Sequence, residues 1–155
     1  MLLLPLSSLH NRAEFDCNDT DLNRWLQQMA RQHRARGIAS TFVAVEQLDS
    51  PQILGYYALN FAELVSKNLP ASLAKRLPEK VPVFRVARLA VSAAYQQKRI
   101  GEYLLMDAVA RATRIKAETG GVGVLVNAKP NALNFYKKYG FEAMQDHSLN
   151  LFLSI

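Results

Sequence analysis

The sequence has little of several residue types, and each shortage excludes a class of protein. A single cysteine, Cys17, excludes an internal disulfide framework and a cysteine-rich zinc module. Seven glycines and six prolines exclude a collagen-like or low-complexity chain. No apolar run approaches the roughly 20 residues that cross a bilayer. A lone thiol is typical of a reducing compartment, so we expect a cytoplasmic protein with no membrane segment.

Acidic residues are also in the minority. The chain has 13 Asp and Glu against 19 Lys and Arg, a net charge of +6, which favours a polyanionic partner. Half of the residues are hydrophobic and 21% are charged, which is the composition of an ordinary globular protein and argues against disorder. A length of 155 residues predicts one domain over 1–155.

The hydrophobic spacing predicts an α/β fold of the mixed α+β kind. The strand at 81–91, the helix at 101–116 and the strand at 121–126 form one parallel, right-handed βαβ unit. The other strands look antiparallel, so we expect a central mixed, mostly antiparallel sheet with helices on its faces. The remaining predicted elements are strands at 1–6, 40–46, 53–61 and 148–153, and helices at 19–36, 71–77 and 131–139.

The strongest functional signal lies where the strand 81–91 meets the helix 101–116. The strand runs into a tight loop with a basic tip, Gln96-Gln97-Lys98-Arg99-Ile100-Gly101, and the loop opens the helix. The N-terminus of a helix offers unpaired N–H groups and a positive dipole, so this loop can hold a phosphate. The alternative is a plain turn with exposed basic residues.

Two segments resemble those of the GNAT acetyltransferases. The loop is similar to their pyrophosphate loop, Gln/Arg-x-x-Gly-x-Gly/Ala, and the stretch Asn134-Phe135-Tyr136 with Gly140-Phe141 is similar to their Asn/Ala-x-x-Phe-Tyr-x-x-x-Gly-Phe segment. The resemblance implies acetyl-CoA as co-substrate, no metal, and Tyr136 as the acid that protonates the leaving thiolate. A phenol with a pKa of about 10 suits that role. The alternative is that Tyr136 has no catalytic role and only packs on the sheet.

The same resemblance implies a set of residues that hold acetyl-CoA. Backbone groups of Leu89, Ala90 and Val91 would pair with the pantetheine and polarise the thioester carbonyl. Asn127 and Asn134 would line the CoA tunnel. The pyrophosphate would lie on the loop residues Gln96, Gln97, Lys98, Arg99, Ile100, Gly101 and Glu102.

Arg99 departs from the family pattern, which has glycine at this position. Its side chain either obstructs the approach of the backbone to the pyrophosphate or supplies an additional cation to it. We favour the second interpretation. The first would leave a non-catalytic, basic module that binds RNA or a protein partner.

The start of the chain resembles the GNAT-type toxins of toxin–antitoxin systems. The segment 15–26, which opens Phe15-Asp16-Cys17, is similar to their Phe-Asp-Cys-Gly-x-x-x-Leu-Asn-x-[Trp/Phe]-Leu, with Asn18 in place of glycine. The segments 40–45, 54–59 and 87–91 are also similar. This resemblance implies acetylation of the α-amino group of aminoacyl-tRNA, a ribbon-helix-helix antitoxin and a homodimer. The alternative acceptor is a small amine or a protein N-terminus.

The basic residues agree with an RNA substrate. They gather in clusters that suit a phosphate backbone, although each is also an ordinary solvated charge. No histidine has an evident partner as general base. An α-amino group has a pKa of about 7.7–8.0, so it attacks without one. The candidate RNA contacts are Arg31, Arg34, Lys75, Arg76, Arg85 and Arg88.

Overall fold

A computed structural model describes residues 1–155 and contains seven strands and five α-helices. The strands are β1 (Leu2–Pro5), β2 (Ser40–Val45), β3 (Gly55–Val65), β4 (Lys80–Val91), β5 (Gly123–Asn127), β6 (Glu142–Ala143) and β7 (Asn150–Ser154). The helices are α1 (Thr20–Gln28), α2 (Ala30–Ala35), α3 (Ala71–Ala74), α4 (Ile100–Thr119) and α5 (Leu133–Lys138). Short 3₁₀ turns occupy Ser66–Asn68, Ala93–Tyr95 and Pro130–Ala132.

The strands form one sheet in the order β1-β2-β3-β4-β5-β7-β6. β4 and β5 are parallel and are joined through α4, which makes the predicted βαβ unit. The β1–β2, β2–β3, β5–β7 and β6–β7 pairs are antiparallel. The prediction of a mixed, mostly antiparallel sheet is therefore confirmed. No helix is long and apolar enough to span a bilayer.

The chain divides into two compact units. The first comprises Met1–Asn60 and Ala87–Ala108. Its core is an apolar cluster in which Leu26 and Ala30 of the first helices pack with Val43 and Val45 of β2. These strand residues share one face of the sheet because side chains alternate along a strand.

The predicted single helix over 19–36 is wrong, because the chain forms two helices. Asp19 caps α1, and its carboxylate accepts hydrogen bonds from the N–H groups of Asp21 and Leu22 at 3.0 and 3.2 Å. Met29 interrupts the helical run with a φ of −113°, outside the range of a regular helix. Gly37 follows α2 with a φ of 71°, the left-handed conformation that commonly closes a helix.

The second unit comprises Phe61–Val86 and Val109–Ile155. Its core contains Val83, Leu125 and Phe152, which are almost completely buried. β5 can approach β7 closely because Gly123 has no side chain: a Cβ there would lie 2.2 Å from the Phe152 ring.

The second unit also differs from the sequence prediction in its short elements. The helix predicted over 71–77 ends at Ala74, so Lys75 and Arg76 follow it rather than belong to it. The helix predicted over 131–139 is a 3₁₀ turn followed by α5. The two-residue strand β6 was not predicted, because two residues carry no periodic signal.

Candidate functional site

The last five residues of β4 extend past the part of the strand that pairs with β5. The paired part covers Phe84–Val86, whereas β4 continues to Val91. The predicted residues Leu89, Ala90 and Val91 all belong to this extension, and the chain passes directly from it into the basic loop and α4. A strand segment with an unpaired side offers N–H and C=O groups to an extended ligand.

Backbone hydrogen bonds within the first unit hold the residues that lead into the basic loop. The N–H of Ser92 donates to the carbonyl of Leu54, and that of Ala93 donates to the carbonyl of Asp16, both at 2.8 Å. The side-chain amide of Gln96 donates to the carbonyls of Val91 and Cys17 at 3.2 and 3.4 Å. Gln96 therefore holds the loop in place with its side chain.

Two loop residues that are not glycine adopt left-handed backbone conformations. The φ angles are 65° at Gln97 and 63° at Arg99. Such a conformation costs roughly 1–2 kcal/mol for an L-residue, and glycine avoids this cost. The glycine of the family pattern at position 99 is thus explained by backbone conformation, which Arg99 here adopts with its side chain exposed.

The geometry of the loop fits a phosphate. Left-handed residues in a turn help to form backbone N–H concavities that bind anions, and this turn leads into the N-terminus of the 20-residue helix α4. Ile100 is buried, so it offers only its backbone. The ammonium of Lys98 lies 5.4 Å from the centre of the Tyr95 ring. Gly101 and Glu102 follow in the first turn of α4.

Gly55 positions this segment, although the sequence motifs assigned it no role beyond its place in the segment 54–59. A Cβ at Gly55 would lie 2.9 Å from the carbonyl oxygen of Ala90 and 2.9 Å from Cδ1 of Leu104. It would also lie 3.3 Å from Cγ2 of Ile100. The missing side chain therefore allows β3 to approach both β4 and the first turns of α4. The sequence signal for this role is the position of Gly55 at the start of a strand, since a glycine in a strand often marks the close approach of another backbone.

Tyr136 is buried in the second unit, on α5. Its ring packs edge-to-face against Phe135 and Phe141, with centroids 5.2 and 5.7 Å away. Burial raises the pKa of Tyr136 to about 12, above the value of about 10 for a free phenol. The hydroxyl keeps its proton throughout the physiological range and is a hydrogen-bond donor there.

The two predicted asparagines occupy different environments. The Asn127 side chain, at the end of β5, donates to the side-chain oxygen of Asn150 at 2.7 Å. Asn134 is exposed on α5. Both belong to the second unit.

The candidate RNA contacts also differ in their surroundings. Arg31 and Arg34 are exposed on α2, and Lys75 and Arg76 are exposed after α3. Arg88 is half-buried: its guanidinium lies 5.3 Å from the centre of the Trp25 ring and donates to the carbonyl of Ala87 at 2.8 Å. These last contacts hold Arg88 in one orientation. Arg85 is half-buried on β4.

The chain matches a known protein family over most of its length. The family model described as acetyltransferase (GNAT) domain matches residues 16–150. The chain belongs to the GNAT acetyltransferase family. The family predicted from the loop and from the Phe135-Tyr136 segment is thereby confirmed.

This GNAT chain is similar to named proteins over nearly its whole length. It is 27% identical over 149 residues to a tRNA-acetylating toxin of Mycobacterium tuberculosis (strain ATCC 25618 / H37Rv), covering 96% of this chain and 88% of that protein. AtaT complexed with acetyl-methionyl-tRNAfMet superposes with a TM-score of 0.89 at 26% identity, over 99% and 94% of the two chains. A tyrosine-to-phenylalanine mutant of KacT superposes with a TM-score of 0.92 at 23% identity, over 99% and 94%, and shares the fold.

Proposed function

We propose that this protein transfers the acetyl group of acetyl-CoA to the α-amino group of aminoacyl-tRNA and so acts as a toxin that blocks translation. The observation that carries the proposal is the extension of β4 beyond β5, which leads directly into the basic loop and the N-terminus of α4. The acceptor is supported by the relatives: one is named a tRNA-acetylating toxin, and AtaT was solved with acetyl-methionyl-tRNAfMet.

Acetyl-CoA supplies an acetyl thioester and binds, on this proposal, to the first unit. Backbone groups of Leu89, Ala90 and Val91 would pair with the pantetheine, as a peptide pairs with a strand edge. The backbone N–H groups of the loop 96–102 would hold the pyrophosphate, with Lys98 and Arg99 as cations beside it. AtaTR bound with AcCoA, a relative at 27% identity, supports this choice of co-substrate.

Acetyl transfer then needs an amine nucleophile and a stabilised leaving group. The nitrogen forms a bond to the acetyl carbon, and the carbon–sulfur bond breaks. The nitrogen loses one proton, and the sulfur of the departing thiolate gains one. Tyr136 would donate a hydrogen bond to the departing sulfur. A phenol with a pKa of about 12 is a weaker acid than a thiol, so its main contribution is this hydrogen bond rather than early proton transfer.

The acceptor end requires no dedicated base. An α-amino group with a pKa of about 7.7–8.0 is partly neutral at physiological pH, whereas a lysine side chain at about 10.4 is almost entirely charged. The chemistry therefore favours aminoacyl-tRNA over a lysine substrate. Exposed cations after α3 and on α2 would contact phosphate groups of the RNA, and Arg88 would be presented in a fixed orientation by Trp25.

Two solved relatives support an antitoxin as the proposed partner. AtaT was solved with the C-terminus of its antitoxin AtaR, and KacTA was solved with DNA. We expect a DNA-binding antitoxin of the ribbon-helix-helix type, a homodimeric toxin and a cytoplasmic location.

The deciding experiment is incubation of the protein with charged tRNAs and labelled acetyl-CoA. Label should appear on the aminoacyl group of charged tRNA, and uncharged tRNA and tRNA with a blocked amino group should remain unlabelled. Equal or faster labelling of a small amine or of a peptide N-terminus would mean that this compound, and not aminoacyl-tRNA, is the acceptor. No labelling, together with no binding of acetyl-CoA, would overturn the enzyme assignment.

A further inference from the structure

A separate cleft lies in the first unit, beside α2 and the β1–β2 edge of the sheet. It encloses about 340 Å³, within the range of small-molecule sites. None of its residues belongs to the acetyl-CoA segment proposed above. The lining includes Leu6, Ser7, Ala30, Arg31, Arg34 and Thr41.

Thr41 contributes a buried hydroxyl without a partner. The residue is only 1% exposed, and its Oγ1 atom makes no hydrogen bond. Its side chain is on the same face of β2 as Val43, which packs with Ala30 in the apolar cluster, so it points towards α2 and the cleft. Valine would fill the same space without a stranded hydroxyl, and buried polar groups in folded proteins nearly always have a partner.

Two guanidinium groups border the same cleft. Arg31 and Arg34 are three residues apart on α2, so they lie on one face of the helix. No acidic residue lines the cleft. The hydroxyl of Ser7 is also at its border, where it accepts a hydrogen bond from the N–H of Leu9 at 3.3 Å. The cleft thus combines two planar cationic groups with two hydroxyls.

We infer that this cleft binds a phosphomonoester group, with Arg31 and Arg34 on its oxygens and the Thr41 hydroxyl at its base. Three terminal oxygens can accept from both guanidinium groups and from a hydroxyl at once, whereas a carboxylate has only two oxygens. The apolar surfaces of Leu6 and Ala30 would pack against the body of the ligand.

The phosphomonoester has two possible sources. One is a free nucleotide, and the other is the phosphorylated 5′ end of an RNA chain. In the second case the inference rests on the proposed function, because an RNA substrate would carry the group. An internal phosphodiester does not satisfy the site equally well, since two of its four oxygens are esterified.

Calorimetric titration without acetyl-CoA tests the site. The probes are inorganic phosphate, adenosine 5′-monophosphate, adenosine, and one short RNA with either a 5′-phosphate or a 5′-hydroxyl. We expect either the nucleotide to bind at least tenfold more tightly than adenosine, or the phosphorylated RNA to bind at least tenfold more tightly than its hydroxyl form. The first result assigns a free nucleotide, and the second assigns an RNA end. Equal binding within both pairs would overturn the inference.

Variants locate the binding in this cleft. Thr41→Val should weaken the preferred probe about tenfold, a loss typical of one hydrogen bond to a charged group, while raising the midpoint of thermal unfolding of the ligand-free protein. Arg31→Gln with Arg34→Gln should abolish the preference. Arg24→Gln on α1 removes an exposed cation outside the cleft and is the control.

Two results would place the binding elsewhere. Unchanged affinity in Thr41→Val would show that the Thr41 hydroxyl does not contact the ligand. Loss of affinity in Arg99→Ala, combined with normal affinity in the Arg31→Gln, Arg34→Gln double variant, would assign the probe to the acetyl-CoA loop. Failure of the protein to acetylate aminoacyl-tRNA would leave the nucleotide titrations unchanged, so the two proposals fail separately.

Discussion

Gly55 lies so close to Ala90 that a Cβ on the glycine would be 2.9 Å from the alanine's carbonyl oxygen. Gly55→Ala should therefore force β3 and the end of β4 apart and lower the free energy of unfolding by about 1–3 kcal/mol. Because Ala90 belongs to the proposed acetyl-CoA segment, the Kd for acetyl-CoA should rise as well. Chemical denaturation and calorimetry measure the two effects.

Gly120→Ala is the matched control for this change. Gly120 also lacks a side chain, but a Cβ there would meet no atom within 4 Å, and its φ of 80° makes the alanine strained. This variant should lose stability and keep its affinity for acetyl-CoA. Normal affinity in Gly55→Ala would show that the close approach of β3 does not shape the acetyl-CoA segment.

Tyr136→Phe should lower the rate of acetyl transfer about 10²–10³-fold, the usual effect of removing one hydrogen-bond donor from a developing anion. The phenyl ring keeps the packing against Phe135 and Phe141, so the Kd for acetyl-CoA should stay near the wild-type value. Single-turnover kinetics with charged tRNA measures the rate. Wild-type turnover would remove Tyr136 from the mechanism.

The raised pKa of Tyr136 also predicts how stability depends on alkaline pH. The unfolded phenol loses its proton near pH 10, whereas the folded one keeps it to about pH 12. The contribution of Tyr136 to stability is therefore complete below pH 10 and is lost between pH 10 and 12, by at most about 1.4 kcal/mol per pH unit. Tyr136→Phe should flatten this part of the profile of unfolding free energy against pH. Tyr103→Phe, which removes the hydroxyl of an exposed tyrosine, is the control variant.

The left-handed conformation of Arg99 allows its charge to be separated from its backbone strain. Arg99→Gly should stabilise the fold by about 1 kcal/mol but weaken acetyl-CoA binding, because the cation is lost. Gln97→Gly relieves similar strain at a φ of 65° without removing a charge, so it should stabilise the fold and leave affinity intact. Acetyl-CoA binding that becomes tight only in Arg99→Gly would mean that the wild-type loop is degenerate.

The exposed pair Lys75 and Arg76 should contribute to RNA binding through counterion release. Reversing both charges to glutamate should weaken aminoacyl-tRNA binding and make its salt dependence less steep, with the slope falling by about one for each phosphate that is no longer neutralised. Binding of acetyl-CoA should not change. The control reverses Arg24 and Arg114, two exposed cations on α1 and α4. An identical salt slope in both double variants would exclude a specific role for Lys75 and Arg76.

The sequence predicts those parts of the fold in which hydrophobic residues recur at a regular spacing or a family motif is present. The βαβ unit and the basic loop belong to this group, because long amphipathic segments and motif spacing are local signals. The break at Met29 was not predictable, since the apolar spacing continues through it and the interruption exists only in the backbone angles. The pKa of Tyr136 depends on burial by residues folded around it, which no local pattern specifies.

The candidate site, too, could be predicted from the sequence only in part. Arg99 was recognised as a departure from a motif, but its φ of 63° is the physical reason that the motif has glycine. Gly55 and Thr41 were missed because their importance depends on atoms distant in sequence: the Ala90 carbonyl for one, and the absence of any hydrogen-bond partner for the other. Arg88 was identified as one cation among several, and only the structure shows it stacked on Trp25.

The two strands at the ends of the sheet order affect how the protein behaves at high concentration. An exposed edge with a long row of free backbone groups recruits other chains and promotes aggregation. β1 ends at Pro5, which has no N–H to donate, and β6 contains only Glu142 and Ala143. Neither of these two edges offers the length of regular backbone that cross-β assembly needs, so both ends of the sheet are protected against fibrous aggregation.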